Sequence, residues 1–269
     1  MGFIQDLRAR VQRKTSNIYD TLFTRRVSIY VTAACFTFGV SANMISALNC
    51  LVGLAACALI GFGDGWLVLG GIALVHVFAV LDSVDGELAR LREKYTIVGL
   101  FLEDLAAFTM INGMFLAVGA YLHRTSGRLW PLLVAVVLVA FGRNAMQVAR
   151  RAMFKSVRTA RPIDPAVVAA HAALPKQPSS AIRTLGERLL HYTNVWLVLT
   201  SAILVEQLTE ISIVAYAFAL YATAVLLKEA AVIATYSFTN ALEHELLDLY
   251  HRARSLPTDP VSGDTLAGD

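Results

Sequence analysis

Charged residues are scarce in this sequence. Asp, Glu, Lys and Arg make up 16% of its 269 residues, whereas 57% of the residues are hydrophobic and the mean hydropathy is +0.59. This composition excludes an ordinary soluble globular domain of similar length. The apolar runs reach the roughly 20 residues that a helix needs to cross a bilayer core. The composition therefore predicts an all-α, polytopic membrane protein.

Cysteine is also rare, and the positions of the three cysteines argue against a disulfide or a zinc site. Cys35, Cys50 and Cys57 fall in apolar segments without metal-ligand spacing, which favours core packing over a disulfide or a zinc site. Residues 1–26 lack a short apolar run that ends in a small-residue cleavage site, so we expect no signal peptide. The sequence shows no internal repeat and no nucleic-acid-binding module, and we expect no nucleic acid partner.

The first 40 residues are interpreted as an N-terminal interfacial region. Between Arg8 and Arg26, basic residues alternate with apolar ones such as Leu7, Val11, Leu22 and Phe23. This pattern predicts an amphipathic helix on an anionic membrane surface, with a solvated charged face as the alternative. Residues 27–62 contain no charged residue but are too few for two full spans and a turn. We therefore interpret residues 27–40 as a tilted interfacial segment.

Six membrane spans are predicted within residues 41–238. Their approximate bounds are 43–61, 66–82, 97–122, 129–143, 194–205 and 211–236. The intervening residues 152–192 are too polar to span and are divided by prolines, which indicates a cytoplasmic loop. Residues 239–269 are predicted to form a cytoplasmic tail whose last dozen residues are disordered.

The basic residues indicate how the spans are oriented. Six basic residues precede the first span and nine lie between Arg143 and Arg188, whereas the opposite side receives only Arg124 and Arg128. Loops rich in Lys and Arg stay in the cytoplasm. Both termini are therefore predicted to face the cytoplasm.

Carboxylates cluster at the end of the second apolar run, in the stretch that begins at Asp82. On a helix that advances about 100° per residue, Asp82 and Asp85 lie about 60° apart, and Gly86 and Ala89 lie within about 40° of Asp82. One helix face thus offers two carboxylates beside two very small side chains. This arrangement suits a divalent cation with space for phosphates, and all-oxygen ligands favour Mg²⁺ or Mn²⁺.

The third apolar run carries a matching feature, because Gly99 and Glu103 share a helix face. A carboxylate inside a membrane costs about 2.5 to 3.5 kcal/mol, so several converging carboxylates favour a bound metal ion. The alternative places Asp82 and Asp85 at a solvated helix end and pairs Glu103 or its neighbour Asp104 with a basic residue, Arg90 or Lys228.

These residues resemble a known family motif. CDP-alcohol phosphotransferases, also called CDP-alcohol phosphatidyltransferases, carry D-x-x-D-G-x-x-A-R, eight residues, and then G-x-x-x-D-x-x-x-D. Residues 41–46, Ser-Ala-Asn-Met-Ile-Ser, resemble the family's T-P-N-x-x-T segment, with Ala42 in place of proline. The residues that match the motif in type and spacing are Asp82, Asp85, Gly86, Ala89, Arg90 and Gly99.

The resemblance implies both a reaction and a site. The family transfers a substituted phosphoryl group from a CDP-linked donor to an alcohol acceptor, releases CMP, and serves phospholipid biosynthesis. It implies two divalent cations on Asp82, Asp85 and Glu103, and it also implies contact with membrane lipids and a homodimer. The implied donor-binding residues are Asn43, Ser46, Asp82, Gly86, Ala89, Arg90 and Gly99.

The sequence departs from the family pattern at two positions. Glu103 stands at the third acidic position, and Ala107 stands at the fourth, where the family's usual base is found. Asp104 is the nearest carboxylate, but on a regular helix it is rotated about 60° from Ala107 and displaced by about 4.5 Å.

Three explanations for Ala107 stay open. Glu103 or Asp104 acts as the catalytic base, the acceptor is already anionic and needs no base, or the protein is a catalytically impaired or non-enzymatic relative that binds nucleotide and metal. The sequence leaves the donor open between CDP-diacylglycerol and another CDP-alcohol, and it leaves the acceptor unidentified.

Overall fold

The computed structural model describes residues 2–12, 19–141, 152, 192–209, 211–238 and 246–247. Every regular element among these residues is helical, which confirms the predicted all-α fold for this part of the chain. The chain divides into two compact units, residues 1–142 with 179–226 and residues 143–178 with 227–269. The predicted cytoplasmic loop, except Ala152 and Tyr192, and nearly all of the predicted tail lie outside the described residues.

Eight helices are described, and a π-helical turn, Asp20–Thr24, leads directly into the second of them. Four of them, α3, α4, α5 and α8, are long and apolar enough to cross a membrane, which agrees with a polytopic membrane protein. α6 and α7 are apolar but shorter, so the count of six spans stays a prediction. The bounds are α1 Phe3–Val11, α2 Arg25–Thr37, α3 Ala42–Phe62, α4 Trp66–Leu91, α5 Ile97–Ser126, α6 Trp130–Phe141, α7 Tyr192–Thr209 and α8 Val214–Phe238.

Side-chain caps fix where α3 and α5 begin. The Ser41 hydroxyl accepts a hydrogen bond from the Met44 amide at 3.2 Å, and the Thr96 hydroxyl accepts one from the Gly99 amide at 2.9 Å. Such caps satisfy amides that have no partner within the helix. The two helices therefore start at defined residues, next to the motif segments of the sequence.

Small residues allow α3, α4 and α5 to pack closely. A Cβ atom added to Gly53 would lie 3.1 Å from the Phe78 ring of α4, and one added to Gly61 would lie 3.3 Å from the Ala117 backbone of α5. Close backbone approach through small residues is typical of helix packing in membranes. These contacts form a tightly packed scaffold at one end of which the motif residues lie.

Helix α4 continues beyond the predicted end of the second span at Asp82. It runs to Leu91, because Val84 and Leu88 extend its apolar face and are fully buried against neighbouring side chains. The whole D-x-x-D-G-x-x-A-R segment, residues 82–90, therefore lies within one regular helix. The spacing of its residues consequently translates directly into positions around the helix axis.

The N-terminal apolar residues do not share one environment. Leu7 and Val11 of α1 are buried against Ile29 of α2 and Leu91 of α4, whereas Leu22 and Phe23 are exposed. Residues 13–18, in the middle of the predicted amphipathic helix, lie outside the described residues. The described part of α1 thus packs on protein through its apolar side, and its contact with a membrane surface stays a prediction.

Candidate active site

A cavity of about 380 Å³ lies between the N-terminal ends of α3 and α5 and the C-terminal part of α4. Ten residues were expected from the sequence to form the site. The structure brings seven of them to this cavity, while Asp82, Arg90 and Asp104 are not part of its lining. The seven lining residues are Asn43, Ser46, Asp85, Gly86, Ala89, Gly99 and Glu103.

Asp85 is held in place by α3. The Ser46 hydroxyl lies 2.7 Å from Asp85 Oδ2 and donates a hydrogen bond to it, and both side chains are buried. The charge of Glu103 also acts on Asp85, so the two carboxylates lie near each other across the cavity. The predicted donor-binding residue Ser46 therefore also positions a predicted metal ligand.

Gly99 leaves space that two polar side chains occupy. The Thr96 hydroxyl donates to Asn43 Oδ1 at 3.2 Å, which links the start of α5 to the start of α3. A Cβ atom on Gly99 would lie 2.7 Å from that Asn43 oxygen and 3.0 Å from Thr96 Oγ1. Sequence reasoning missed Thr96, although its position as a helix-capping threonine three residues before Gly99 was a usable signal.

Arg90 lies at the edge of the cavity. Its Nε donates to the backbone oxygen of Val11 at 2.6 Å, and a Cβ atom on Gly86 would lie 3.2 Å from Arg90 Nη1. Its charge also acts on Asp85. The guanidinium therefore packs against the glycine of the motif through Nη1, while its Nε is held by the end of α1.

Asp82 lies one helical turn before Asp85 and is partly buried. It is near enough to Asp85, Glu103 and Asp20 for their charges to act on it. Asp20 was not predicted as a site residue, because it comes from the π-helical turn 62 positions earlier in the sequence. The spatial cluster of acidic residues thus includes Asp20, which is not part of the motif.

Aromatic contacts hold the π-helical turn on α4. The Tyr19 hydroxyl lies 2.6 Å from His76 Nδ1, and the Phe23 ring meets the His76 ring edge to face at 6.1 Å. Burial, followed by the nearby charge of Asp20, raises the pKa of Tyr19 to about 12. The phenol is therefore protonated at neutral pH, and it shares a hydrogen bond with His76 Nδ1. These contacts account for the position of Asp20 beside α4.

The carboxylates at the cavity are too few to surround a metal ion by themselves, so a substrate would have to supply further ligands. Among the described residues, no group of three or more His, Cys, Asp or Glu side chains is arranged to hold a metal ion. Mg²⁺ in nucleotide enzymes commonly binds one or two carboxylates and takes its other ligands from phosphates and water. The Asp85 and Glu103 carboxylates at the cavity, with Asp82 next to them, fit that mode of binding.

The variant positions of the motif lie on α5. Glu103 and Asp104 are both exposed, but only Glu103 lines the cavity. Ala107 is partly buried one turn further along the helix. The structure thus places one of the two candidate replacement bases at the cavity.

Glu87 is a buried carboxylate that sequence reasoning did not single out. It is 2% exposed and lies about 200° around α4 from Asp85. It accepts hydrogen bonds from Gln12 Nε2 at 2.8 Å, Ser28 Oγ at 2.7 Å and Thr32 Oγ1 at 2.6 Å. The available signal was the pair of hydroxyl residues, Ser28 and Thr32, one turn apart in α2.

Comparison with protein families gives one match that covers most of the chain. The family model described as CDP-alcohol phosphatidyltransferase matches residues 39–239, which is more than half of the 269 residues. The matched region includes all ten predicted site residues. Comparison with curated proteins gives no significant match.

Proposed function

Because the chain belongs to the CDP-alcohol phosphatidyltransferase family, we propose that it transfers a substituted phosphoryl group from a CDP-linked donor to an alcohol. CMP is the second product, and the donor is CDP-diacylglycerol or another CDP-alcohol. The observation that carries the proposal is the cavity, which is lined by seven of the ten expected site residues from α3, α4 and α5. The reaction takes place in the membrane, with the cavity and both termini on the cytoplasmic side.

Metal dependence is part of the proposal. The family is generally dependent on divalent metal, and Asp82, Asp85 and Glu103 would hold one or two Mg²⁺ or Mn²⁺ ions in this chain. Bound there, the ions would neutralise charge on the transferring phosphoryl group and on the leaving oxygen. The hydrogen bond from Ser46 keeps Asp85 in one orientation before any ligand arrives. Such preorganisation reduces the cost of assembling a charged site.

The small residues of α4 determine where the donor's phosphates fit. Gly86 and Ala89 line the cavity and present little side chain, so phosphate groups can approach the helix closely. Asn43 and Ser46 supply polar groups on the facing helix, and the Arg90 guanidinium supplies positive charge beside Gly86. These residues would orient the diphosphate so that its β-phosphorus faces the acceptor.

The proposed chemistry is a single displacement. The acceptor hydroxyl oxygen forms a bond to the β-phosphorus, and the bond from that phosphorus to the bridging oxygen breaks. The bridging oxygen leaves with CMP. Glu103 accepts the hydroxyl proton in this proposal, because it lines the cavity while Asp104 does not. An anionic acceptor would make that proton transfer unnecessary.

The first experiment measures CMP release by the full chain in lipid vesicles. CDP-diacylglycerol and a soluble CDP-alcohol are offered as donors with a panel of alcohol acceptors, with Mg²⁺, with Mn²⁺ or with a chelator. We expect CMP release that requires both an acceptor and a metal ion. Release that is equal with and without the chelator would contradict the metal-dependent mechanism.

Asp85→Asn tests the site assignment in the same assay. It should lose metal binding and nucleotide binding together, because it removes a buried charge at the cavity. Asp64→Asn is the matched control, since Asp64 is exposed and pairs with Arg124 at the other end of α3 and α5. If Asp85→Asn binds both ligands as the unmodified protein does, the site lies elsewhere.

A second candidate function is nucleotide and metal binding without turnover. Ala107 favours it, because alanine can neither bind a metal ion nor accept a proton at the position of the family's usual base. Tight binding of a CDP-linked donor with no CMP release from any donor and acceptor pair would support this second function over transfer.

A further inference from the structure

The Glu87 carboxylate lies on the side of α4 that faces away from the cavity, and it accepts hydrogen bonds there. Among the described residues it accepts hydrogen bonds from three neutral groups of the N-terminal region, Gln12, Ser28 and Thr32. Ser28 and Thr32 are fully buried, and Glu87 is 2% exposed. A buried carboxylate is costly unless hydrogen bonds compensate for the water it has lost. The contact therefore holds α2 and the end of α1 firmly on α4.

Two consecutive residues, Val11 and Gln12, connect the contact around Glu87 to Arg90. Gln12 donates to Glu87 and also to the Arg25 backbone oxygen at 2.7 Å, while the preceding residue, Val11, accepts from Arg90 Nε at 2.6 Å. Glu87 and Arg90 are one helical turn apart on α4. The end of α1 is thus attached to α4 at two points, and one of them fixes Nε of the arginine whose guanidinium packs on Gly86.

We propose that Glu87 is a positioning residue for donor binding. By holding Gln12 and α2 on α4, Glu87 keeps the Val11 carbonyl on Arg90 Nε, and this keeps the guanidinium beside Gly86 at the cavity edge. An arginine side chain has several rotatable bonds, so fixing it in advance lowers the cost of binding an anionic donor. The inference rests on the proposed function, because it assigns the donor's phosphates to the region beside Gly86.

Thr32 offers the cleanest perturbation. Thr32→Val keeps the side-chain shape and removes one donor to Glu87, and Thr32→Ser restores a hydroxyl. Thr37→Val is the matched control on the same helix, because the Thr37 hydroxyl is exposed and bonds the Ala33 oxygen within α2. Each variant is measured for donor KM, kcat, melting temperature and hydrogen exchange of the α1 amides.

We expect Thr32→Val to raise the donor KM by roughly tenfold, the equivalent of one lost hydrogen bond to a charged group. The α1 amides should exchange faster, whereas kcat and the acceptor KM should change little. Thr32→Ser and Thr37→Val should behave as the unmodified protein does. Faster exchange of α1 with an unchanged donor KM would overturn the proposal, since α1 would then be held without any effect on the donor.

A second variant guards against a general loss of folding. Gln12 lies just after α1, and Gln12→Glu places a second carboxylate beside Glu87. The repulsion should release α1 from α4 without altering the core between α3, α4 and α5. Gln12→Glu is expected to raise the donor KM as Thr32→Val does. In an Arg90→Ala background, Thr32→Val should have no further effect on donor KM. Additive effects in the double variant would contradict a role through Arg90.

The failure of the inference can be told apart from the failure of the proposed function. If the unmodified protein releases no CMP from any donor, the proposed function fails, and the same variants are then compared by CDP titration. An affinity for CDP that falls about tenfold in Thr32→Val would still support the role of Glu87. An affinity for CDP that is equal in all variants would overturn it.

Discussion

Replacing Gly99 with alanine should separate ligand binding from stability. The new Cβ atom would lie 2.7 Å from Asn43 Oδ1, closer than real Cβ contacts come, and 3.0 Å from Thr96 Oγ1, which is a tight contact. One of these side chains must therefore move. Thr96 is held by its cap on the Gly99 amide, so we expect Asn43 to turn away and its hydrogen bond with Thr96 to break.

The expected change in folding free energy is small because two effects oppose each other. The lost Asn43–Thr96 hydrogen bond costs about 0.5 to 1.5 kcal/mol. Alanine is favoured over glycine in a helix by up to about 1 kcal/mol. The net change in the free energy of unfolding should therefore stay within about 1 kcal/mol. Donor affinity should fall at least about tenfold, or 1.4 kcal/mol, because Asn43 is displaced and a methyl group enters the cavity.

Gly70→Ala provides the matched control for this prediction. A Cβ atom on Gly70 would meet nothing closer than Leu59 Cδ1 at 3.9 Å, and Gly70 lies in α4 far from the cavity. It should gain about 1 kcal/mol in stability and bind the donor normally. Thermal unfolding in one detergent and CDP titration measure both quantities. If Gly99→Ala binds CDP as tightly as Gly70→Ala does, the described packing around Gly99 does not control donor binding.

Two further predictions concern α3 and α5. Asn49 is fully buried, and neither polar atom of its side-chain amide has a hydrogen-bond partner among the described residues. Asn49→Leu should therefore raise the free energy of unfolding by about 1 to 3 kcal/mol in thermal denaturation. The native Asn112 amide donates a hydrogen bond to the Phe108 oxygen at 2.9 Å, so Asn112→Leu should raise the free energy of unfolding by less. An equal increase for both variants would refute the argument. Ala107→Asp should raise transfer to a neutral alcohol by about 10² or more if it supplies a missing base, measured as CMP release. A lower rate would mean that the native site is organised around alanine.

Helix periodicity explains why part of the predicted set of motif residues lies at the cavity, although Asp82, Arg90 and Asp104 do not line it. Helix geometry is periodic, so the spacing of Asp85, Gly86 and Ala89 determines that they share a face of α4 once the helix is continuous. Gly99 and Glu103 follow the same rule on α5. The all-α fold was predictable for a similar reason, because long apolar runs in a membrane must satisfy their own backbone hydrogen bonds.

Contacts between distant segments could not be predicted in this way. Glu87 meets Gln12, Ser28 and Thr32 across 55 to 75 sequence positions, and no local pattern specifies which helix lies against α4. The approach of Asp20 to Asp82 depends on a π-helical turn and on aromatic packing, neither of which has a clear sequence signal here. The end of α4 was also missed, since a hydropathy pattern describes a span and not the helix that continues past it.

The polar contacts on two sides of α4 restrict how this helix can move. Asp85 is bonded to Ser46 of α3, and Glu87, about 200° around the axis, is bonded to Ser28 and Thr32 of α2. Rotation of α4 in either direction would pull a carboxylate from its hydroxyl partner into apolar surroundings. Opening of the cavity to admit a substrate should therefore involve the short loop 92–96, which supplies three lining residues and contains Glu93 at a φ of 50°. The acidic side of the cavity is thus bonded to neighbouring helices at two positions, whereas the connection after α4 holds a glutamate in the left-handed region of backbone conformation.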